Sequence, residues 1–425
     1  MKATAEQERK DLQIIPKLKE EFSFIRGNYL LIATSWILID FAMELQGTYY
    51  GPFVLYDLGA TETILGLIGF VSFAVLALVQ FPGGYLADKY GRKWLISTMT
   101  FGVGLSHLFY VLAPSWHWIL VGAVFVNLSC FHMPALDALL ADSTPSERRG
   151  MGFSIITLIT RVATTPAPIF AGLLVAAFAR ANGMRIAYAI VVAFFLIAAI
   201  LRTRLKETVE QPRKIQFRDL LNSYPQALRE SVSVWKTLPT SMLYLFFGNL
   251  TATLALSFGQ LYFVVYAIEG SKSVLFLSEF DWALVSTALF VTMIVAAVPI
   301  GKLIDKIGRK IPLLVSYAVF FPAVLLFVYG DLFKLFIALP LIGIGDVLFF
   351  SAFESLRTDL VPLEKRGKVI GLTNFTTHLI IAVGQLIGGI LYATDPQLPF
   401  LFILMFLVPS LIITLPLHEP EKREE

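Results

Sequence analysis

Twelve runs of about 20 mostly apolar residues follow one another along this chain, and that spacing leaves few folds open. A helix rises about 1.5 Å per residue, so about 20 residues span a hydrocarbon core of about 30 Å. Runs that meet this length lie at 29–51, 64–86, 94–113, 118–142, 150–178, 184–202, 238–267, 282–301, 311–330, 334–360, 368–393 and 398–417. The expected fold class is an all-α membrane protein of twelve transmembrane helices. An outer-membrane barrel is excluded, because its strands alternate in polarity over about ten residues. Composition agrees: 56% of the 425 residues are apolar and 15% are charged. Soluble domains are nearer half apolar and a quarter charged. No long hydrophilic stretch remains for a soluble enzyme carried on one anchor. The single cysteine, Cys130, excludes a disulfide framework and a cysteine-based zinc site. Residues 1–28 are polar and charged, so no cleavable signal peptide is expected.

Positive charge sets the orientation. Of 34 Lys and Arg, 28 fall in the tails and loops on the side of the N-terminus. Four fall on the other side: Arg180, Arg185, Lys272 and Lys334. Such asymmetry places both termini in the cytoplasm of a multi-pass protein of the cell (plasma or inner) membrane. The stretch between the sixth and seventh runs carries Arg202, Arg204, Lys206, Arg213, Lys214, Arg218, Arg229 and Lys236. It reads as a basic linker lying against anionic lipid. The expected organisation is an N-terminal tail (1–28), six helices (29–202), the linker (203–237), six helices (238–417) and a C-terminal tail (418–425). The mild net charge of +3 is accounted for by these loops, and no nucleic-acid partner is expected.

The chain also repeats itself. Gly84-Tyr85-Leu86-Ala87-Asp88-Lys89-Tyr90-Gly91-Arg92-Lys93 recurs as Gly301-Lys302-Leu303-Ile304-Asp305-Lys306-Ile307-Gly308-Arg309-Lys310, an offset of 217. Asp137 to Asp142, with Pro145, Glu147, Arg148, Arg149 and Gly150, recurs at the same offset as Glu354 to Asp359, with Pro362, Glu364, Lys365, Arg366 and Gly367. Two matches at one offset point to a duplicated six-helix unit with a pathway between the halves. The 84–93 segment resembles the loop signature of the major facilitator superfamily, and 301–310 resembles its second copy. The resemblance spans nearly the whole chain and implies two pseudo-symmetric six-helix bundles that rock around a central cavity.

The resemblance also implies a gate. In the family the signature Asp and Arg join charged contacts that hold the cytoplasmic side closed. That role is carried to Asp88 and Arg92 with Asp142, and to Asp305, Arg309 and Asp359 in the second half. Asp137 and Glu354, one turn inside the same membrane face, join the gate region. Static anchoring of the helix ends is the plainer alternative. Ala163-x-x-x-Ala167-Pro168-x-x-Ala171-Gly172 is similar to the glycine-rich pattern of the family's exporters, with alanine at three glycine positions. Small residues at that spacing also suit ordinary helix packing. The arginine that many family exporters carry early in the fourth span is missing, since 118–136 has no Lys or Arg. Arg161 is the candidate replacement.

Ionisable residues inside a span are costly and mark function by default. Asp40 lies roughly 16 Å into the first span, with Glu44 one turn on along the same face. Arg161, Asp346, His132 and His378 fall at similar depth, and Arg161 and His378 are repeat mates. These six form the expected proton and substrate site, with Asp40 and Glu44 as proton carriers. Arg161 pairing with a carboxylate, and a substrate competing for it, would couple the two fluxes. Tyr49, Tyr50, Tyr262 and Tyr266 are candidate cavity-lining aromatics. No cofactor and no resident metal are expected; His132, His378, Asp40 and Asp346 leave a metal-transport reading as a minor alternative.

No phosphate-binding loop is present, so the expected function is secondary active transport, coupled to protons, by a non-enzymatic monomer. Its partners are a small-molecule substrate, protons and membrane lipids. The acidic excess and the two first-span acids favour proton antiport, with efflux of lipophilic or cationic compounds. The alternative is proton symport of a polar nutrient such as a sugar or organic acid. A non-transporting receptor is remote, because the tails and linker are short.

Overall fold

The computed structural model describes residues 22, 24–145, 149–209, 225, 229, 232–268 and 274–419; side chains at 80–90, 149–150 and 363 lie outside that description. Most of the N-terminal tail and linker, and residues 420–425 of the C-terminal tail, therefore fall outside it. Ten helical stretches among the described residues are long and apolar enough to cross a bilayer. One of them, Met151–Arg202, has 52 residues, more than twice the length a bilayer needs. It breaks at Ala179, where φ is 61. The chain then doubles back: a Cβ added to Gly183 would lie 2.7 Å from the Leu174 carbonyl oxygen. This stretch is two crossings, and the shorter Leu398–Thr414 completes twelve.

In order, α1 is Asn28–Gly47, α2 Glu62–Tyr90, α3 Arg92–Ser106 and α4 Trp116–Asp142. Helix α5 comprises Arg149–Thr164 and 167–178, and α6 is 180–202. The second half holds α7 Thr240–Gly259, α8 Glu279–Ile307, α9 Lys310–Val328, α10 Leu332–Leu360, α11 Arg366–Thr394 and α12 Leu398–Thr414. An even number of crossings puts both termini on one face, called here the terminal face; the other is the distal face.

The duplication is visible in the helix ends. Both ends of α2 and α8 stand 217 residues apart, as do the starts of α5 and α11. The causes are local. The Thr61 and Ser278 side chains accept the backbone N–H of Ile64 and Asp281, at 3.3 and 3.1 Å, and so start α2 and α8. Gly91 (φ 94) and Gly308 (φ 90) end them in backbone that other residues rarely adopt.

The halves meet chiefly through α2 against α11, and secondarily through α5 against α8. The repeat exchanges these two pairs, as a two-fold along the membrane normal requires. Small residues let the backbones close. A Cβ on Gly66 would lie 2.5 Å from the Gln385 carbonyl oxygen, and one on Gly172 would lie 3.0 Å from Ala283. Large apolar side chains such as Phe170, Phe178, Val295, Val298 and Ile412 stay exposed on the flanks. A surface so apolar needs lipid around it.

Two helices end earlier than their hydropathy suggests. The apolar run 29–51 outlasts α1, which gives way at Gly47 to short turns at Tyr50–Pro52 and Phe53–Asp57. Likewise, 238–267 is interrupted after Gly259 before a turn at Phe263–Ala267. The two breaks touch: a Cβ on Gly51 would lie 2.9 Å from the Leu261 carbonyl oxygen. Apolarity persists through both because the broken segments are buried between the halves.

Candidate functional site

The distal face is shut by contacts between the halves. The Tyr49 hydroxyl donates to the Glu279 carbonyl at the start of α8. In return the Tyr262 hydroxyl donates to the Glu62 carbonyl at the start of α2, at 2.8 Å. Arg180, just past the Ala179 reversal, reaches Asp57 at 2.7 Å within its own half and Glu279 at 3.3 Å across the interface. Its guanidinium also lies 5.0 Å from the centre of the Tyr56 ring. Tyr49, Tyr262 and Tyr266 were expected along the cavity. All three are buried, and their hydroxyls bond backbone carbonyls, Tyr266 to Val328 at 2.9 Å. For Tyr49 and Tyr262, whose acceptors lie across the interface, the role in this conformation is closure, whereas Tyr266 bonds within the second half. A buried Tyr hydroxyl needs an acceptor, and the first carbonyls of α2 and α8 supply one.

The terminal face is arranged otherwise. Its ion pairs at Arg92–Asp142, Arg309–Asp359 (3.4 Å) and Arg357–Glu354 each join residues of one half. Asp305 is exposed on α8, and the Asp88 side chain lies outside the described residues. Among the described residues α4 makes no substantial contact with α10 or α11. Asp137 on α4 and Arg161 on α5 are exposed. A cleft between the halves therefore opens to this face.

Two further carboxylates hold the signature loops. Glu207, just past α6, accepts the backbone N–H groups of Arg92 and Lys93 at 3.1 and 3.0 Å, where α3 begins. Glu419, just past α12, accepts those of Arg309 and Lys310 at 2.9 and 2.6 Å, where α9 begins. Each anion sits at the positive end of a helix. Partial burial raises Glu207, but the N–H groups of Val209, Arg92, Lys93 and Thr208 outweigh it and leave its pKa below the ordinary glutamate value.

At mid-membrane the half-buried Asp40 and Glu44 share a face of α1. Arg161 lies within electrostatic reach of both and of Asp346 on α10. The Thr160 hydroxyl stands beside Asp40. Four of the six expected site residues thus converge from α1, α5 and α10, across both halves. No carboxylate among the described residues comes within 4.0 Å of Arg161, so the expected ion pair is not closed in this conformation. His378 stacks its ring on that of Phe73, 6.0 Å away across the α2–α11 seam.

His132 is elsewhere. It is buried inside the first bundle, with Nδ1 2.8 Å from the Ser129 carbonyl and Nε2 3.4 Å from Nη1 of Arg202. Arg202 itself overturns its reading as a linker charge. It closes α6, is 1% exposed, and donates to Ser35 (3.0 Å) and Thr100 (2.8 Å). Lys and Arg counts cannot detect this, because they score position along the chain and not lateral packing.

Above Asp40, towards the distal face, lies a cavity of about 230 Å³. Glu44 and Thr48 line it from α1; Gln260, Phe263, Trp282, Ser286, Leu289, Phe290, Leu339 and Ile342 line it from the second half. Gln260 is held by Nε2 of Gln385 at 3.1 Å. The mixture is an apolar and aromatic wall with a few polar groups, as small-molecule sites require. Sequence reading singled out Glu44 here and missed Trp282, Ser286 and the Arg180 bridge. Glu279 had one signal available: it is the repeat mate of Glu62.

The sequence profile of the major facilitator superfamily matches residues 32–278 and 250–425, together nearly the whole chain. The chain belongs to the major facilitator superfamily. It is a multi-pass membrane transporter and not an enzyme. An MFS-type transporter of Methanocaldococcus jannaschii is 25% identical over 338 residues, covering 78% of this chain and 82% of that protein. Multidrug resistance protein 2 of Bacillus subtilis is 26% identical over 356 residues, covering 81% and 84%. Among solved structures, a bacterial homologue of the human lysosomal transporter Spinster, captured inward-facing and unoccupied, superposes with a TM-score of 0.72. It is 16% identical and covers 91% of this chain and 95% of its own, which establishes the shared fold.

Proposed function

We propose that this superfamily member is a proton antiporter that exports lipophilic or cationic compounds across the cell membrane. The observation that carries the reading is the 230 Å³ cavity, where Phe263, Trp282 and Phe290 surround space bordered by Glu44. Aromatic faces and one carboxylate attract a bulky organic cation and offer little to a sugar. The excess of basic residues on the terminal face supports cytoplasmic termini, which makes this conformation inward-facing. The Bacillus subtilis relative, by its name, supports efflux. Protons load on Asp40 or Glu44, and Arg161 and Asp346 bring the second half into the same electrostatic group. Substrate arriving from the cytoplasm displaces the proton. The Arg92–Asp142 and Arg309–Asp359 clusters, with Asp88, Asp305, Asp137 and Glu354, bias the equilibrium between the two open states. The unit acts as a monomer within the lipid.

Binding of tetraphenylphosphonium to purified protein tests this. Glu44→Gln and Trp282→Ala each weaken it by about tenfold or more, equivalent to about 1.4 kcal/mol. Unchanged affinity in both variants removes the cavity from the account. One observation favours a second reading, symport of an organic anion: among the described residues no carboxylate lies within 4.0 Å of Arg161, which is open to the cleft. Loss of succinate uptake in Arg161→Met would select it.

A further inference from the structure

The polar groups on the cavity wall differ in what they offer a ligand. Glu44, when ionised, only accepts hydrogen bonds. The Thr48 hydroxyl has spent its proton on the Glu44 carbonyl of its own helix, at 3.0 Å. The Ser286 hydroxyl is a rotor that can donate or accept. Gln260 is held differently. It follows Gly259, where α7 ends, and its side chain is exposed to the cavity. Its Oε1 accepts from Nε2 of Gln385 at 3.1 Å, so the end left for a ligand is its N–H2 group.

Gln385 sets that orientation from behind. It is 1% exposed on α11, and its own Oε1 has no partner among the described residues. That oxygen is enclosed against α2, where a Cβ on Gly69 would overlap it. Turning both amides over would place two N–H donors in the enclosed space where one carbonyl now lies, so the observed setting strands fewer polar groups. The backbone beneath Gln260 is fixed too. A Cβ on Gly384 would overlap Oγ of Ser257, and one on Gly388 would overlap the Phe258 carbonyl oxygen. The end of α7 is thus pressed onto the turn of α11 that carries Gln385.

We propose that Gln260 determines specificity in the cavity: its N–H2 group, aimed by Gln385, selects organic cations that also carry a hydrogen-bond acceptor such as a carbonyl oxygen. The inference deepens the antiport reading and rests on the same cavity. Glu44 and the aromatic wall attract the cation, and the amide chooses among cations. A donor held in place discriminates, because a ligand without an acceptor leaves it unpaired once water is displaced. Gln385 touches no ligand and is a positioning residue.

The test compares two probes of nearly one shape with purified full-length protein: tetraphenylphosphonium bearing a para-acetyl group on one ring, and the same cation bearing para-isopropenyl. Only the acetyl group has an acceptor. The readout is each protein's own affinity ratio, so a general loss of affinity cancels. Wild type is expected to favour the acetyl probe about fivefold. Gln260→Leu is expected to abolish the preference, which separates Gln260 from Trp282, whose indole N–H is the other donor on the wall. Gln385→Met is expected to reduce it by releasing the amide. Should Gln385→Met fail to fold, Gln260→Leu decides alone. No preference in wild type, or a preference unchanged in Gln260→Leu or in folded Gln385→Met, overturns the inference. The antiport reading fails separately, when neither probe responds to Glu44→Gln or Trp282→Ala. Binding that depends on Glu44 and Trp282 but ignores the acetyl group would sink this proposal alone.

Discussion

The distal and terminal faces derive from one duplicated unit, yet they use their polar groups differently. At the distal face Arg180, Tyr49 and Tyr262 reach across the interface, and each contact ties one half to the other. At the terminal face Arg92–Asp142 and Arg309–Asp359 tie helices within a half. Cross-half contacts exist in only one conformation and so weigh on the equilibrium directly. Contacts within a half persist as the bundles rock, and they weigh on it only through new partners made on closing. This difference explains why the structure is held shut at one end and free at the other.

The comparison can be broken from the distal side first. One assay serves four variants: the rate at which an impermeant maleimide, added at the distal side, reaches a cysteine at Ser286 in a Cys130→Ser background. Gly66→Ala would place a Cβ 2.5 Å from the Gln385 carbonyl and 3.1 Å from Gly389 Cα, both backbone. The helices must part, at about 2–3 kcal/mol, and labelling accelerates most in this variant. Arg180→Ala removes the ion pair to Glu279 that crosses the interface, about 1 kcal/mol, so labelling rises roughly fivefold, while its contacts with Asp57 and Tyr56 lie within one half. Tyr49→Phe deletes one buried hydroxyl donor, about 1 kcal/mol, for roughly a fivefold rise. Arg92→Ala in the same assay is expected to leave labelling unaccelerated. A rise as large as that of Arg180→Ala would erase the distinction between the faces.

The smallest effect concerns Glu207. Its folded pKa is depressed, so its contribution is complete above the unfolded glutamate value of about 4.3 and is lost as pH falls through the lower folded value. Glu207→Gln should lower thermal stability at pH 7 by about 0.3–1 kcal/mol. The gap from wild type should close below about pH 4. A gap independent of pH would mean that charge at the start of α3 is irrelevant.

Features that recur along the chain were legible in the sequence. Run lengths yield twelve crossings, and Gly91 and Gly308 end their helices where the repeated loops lie. Asp40 and Glu44 share a face because four residues make about one turn. What escaped reading depends on lateral packing. Arg202 ends an apolar run and looks like the first residue of a basic linker, but three neighbouring helices enclose it. Tyr49 and Tyr262 look like cavity aromatics, but their partners are carbonyls some 200 residues away, and a carbonyl leaves no mark in sequence. Trp282 and Ser286 become cavity residues only once α8 is docked on the first half.

The central claim is that compound and proton exchange through Asp40. It is tested most directly in liposomes that contain purified protein and a pH-sensitive dye, with tetraphenylphosphonium added on one side. The account predicts proton movement opposite in direction to the compound, present in wild type and absent in Asp40→Asn. Labelled compound crossing with no proton movement, or undiminished exchange in Asp40→Asn, would contradict it.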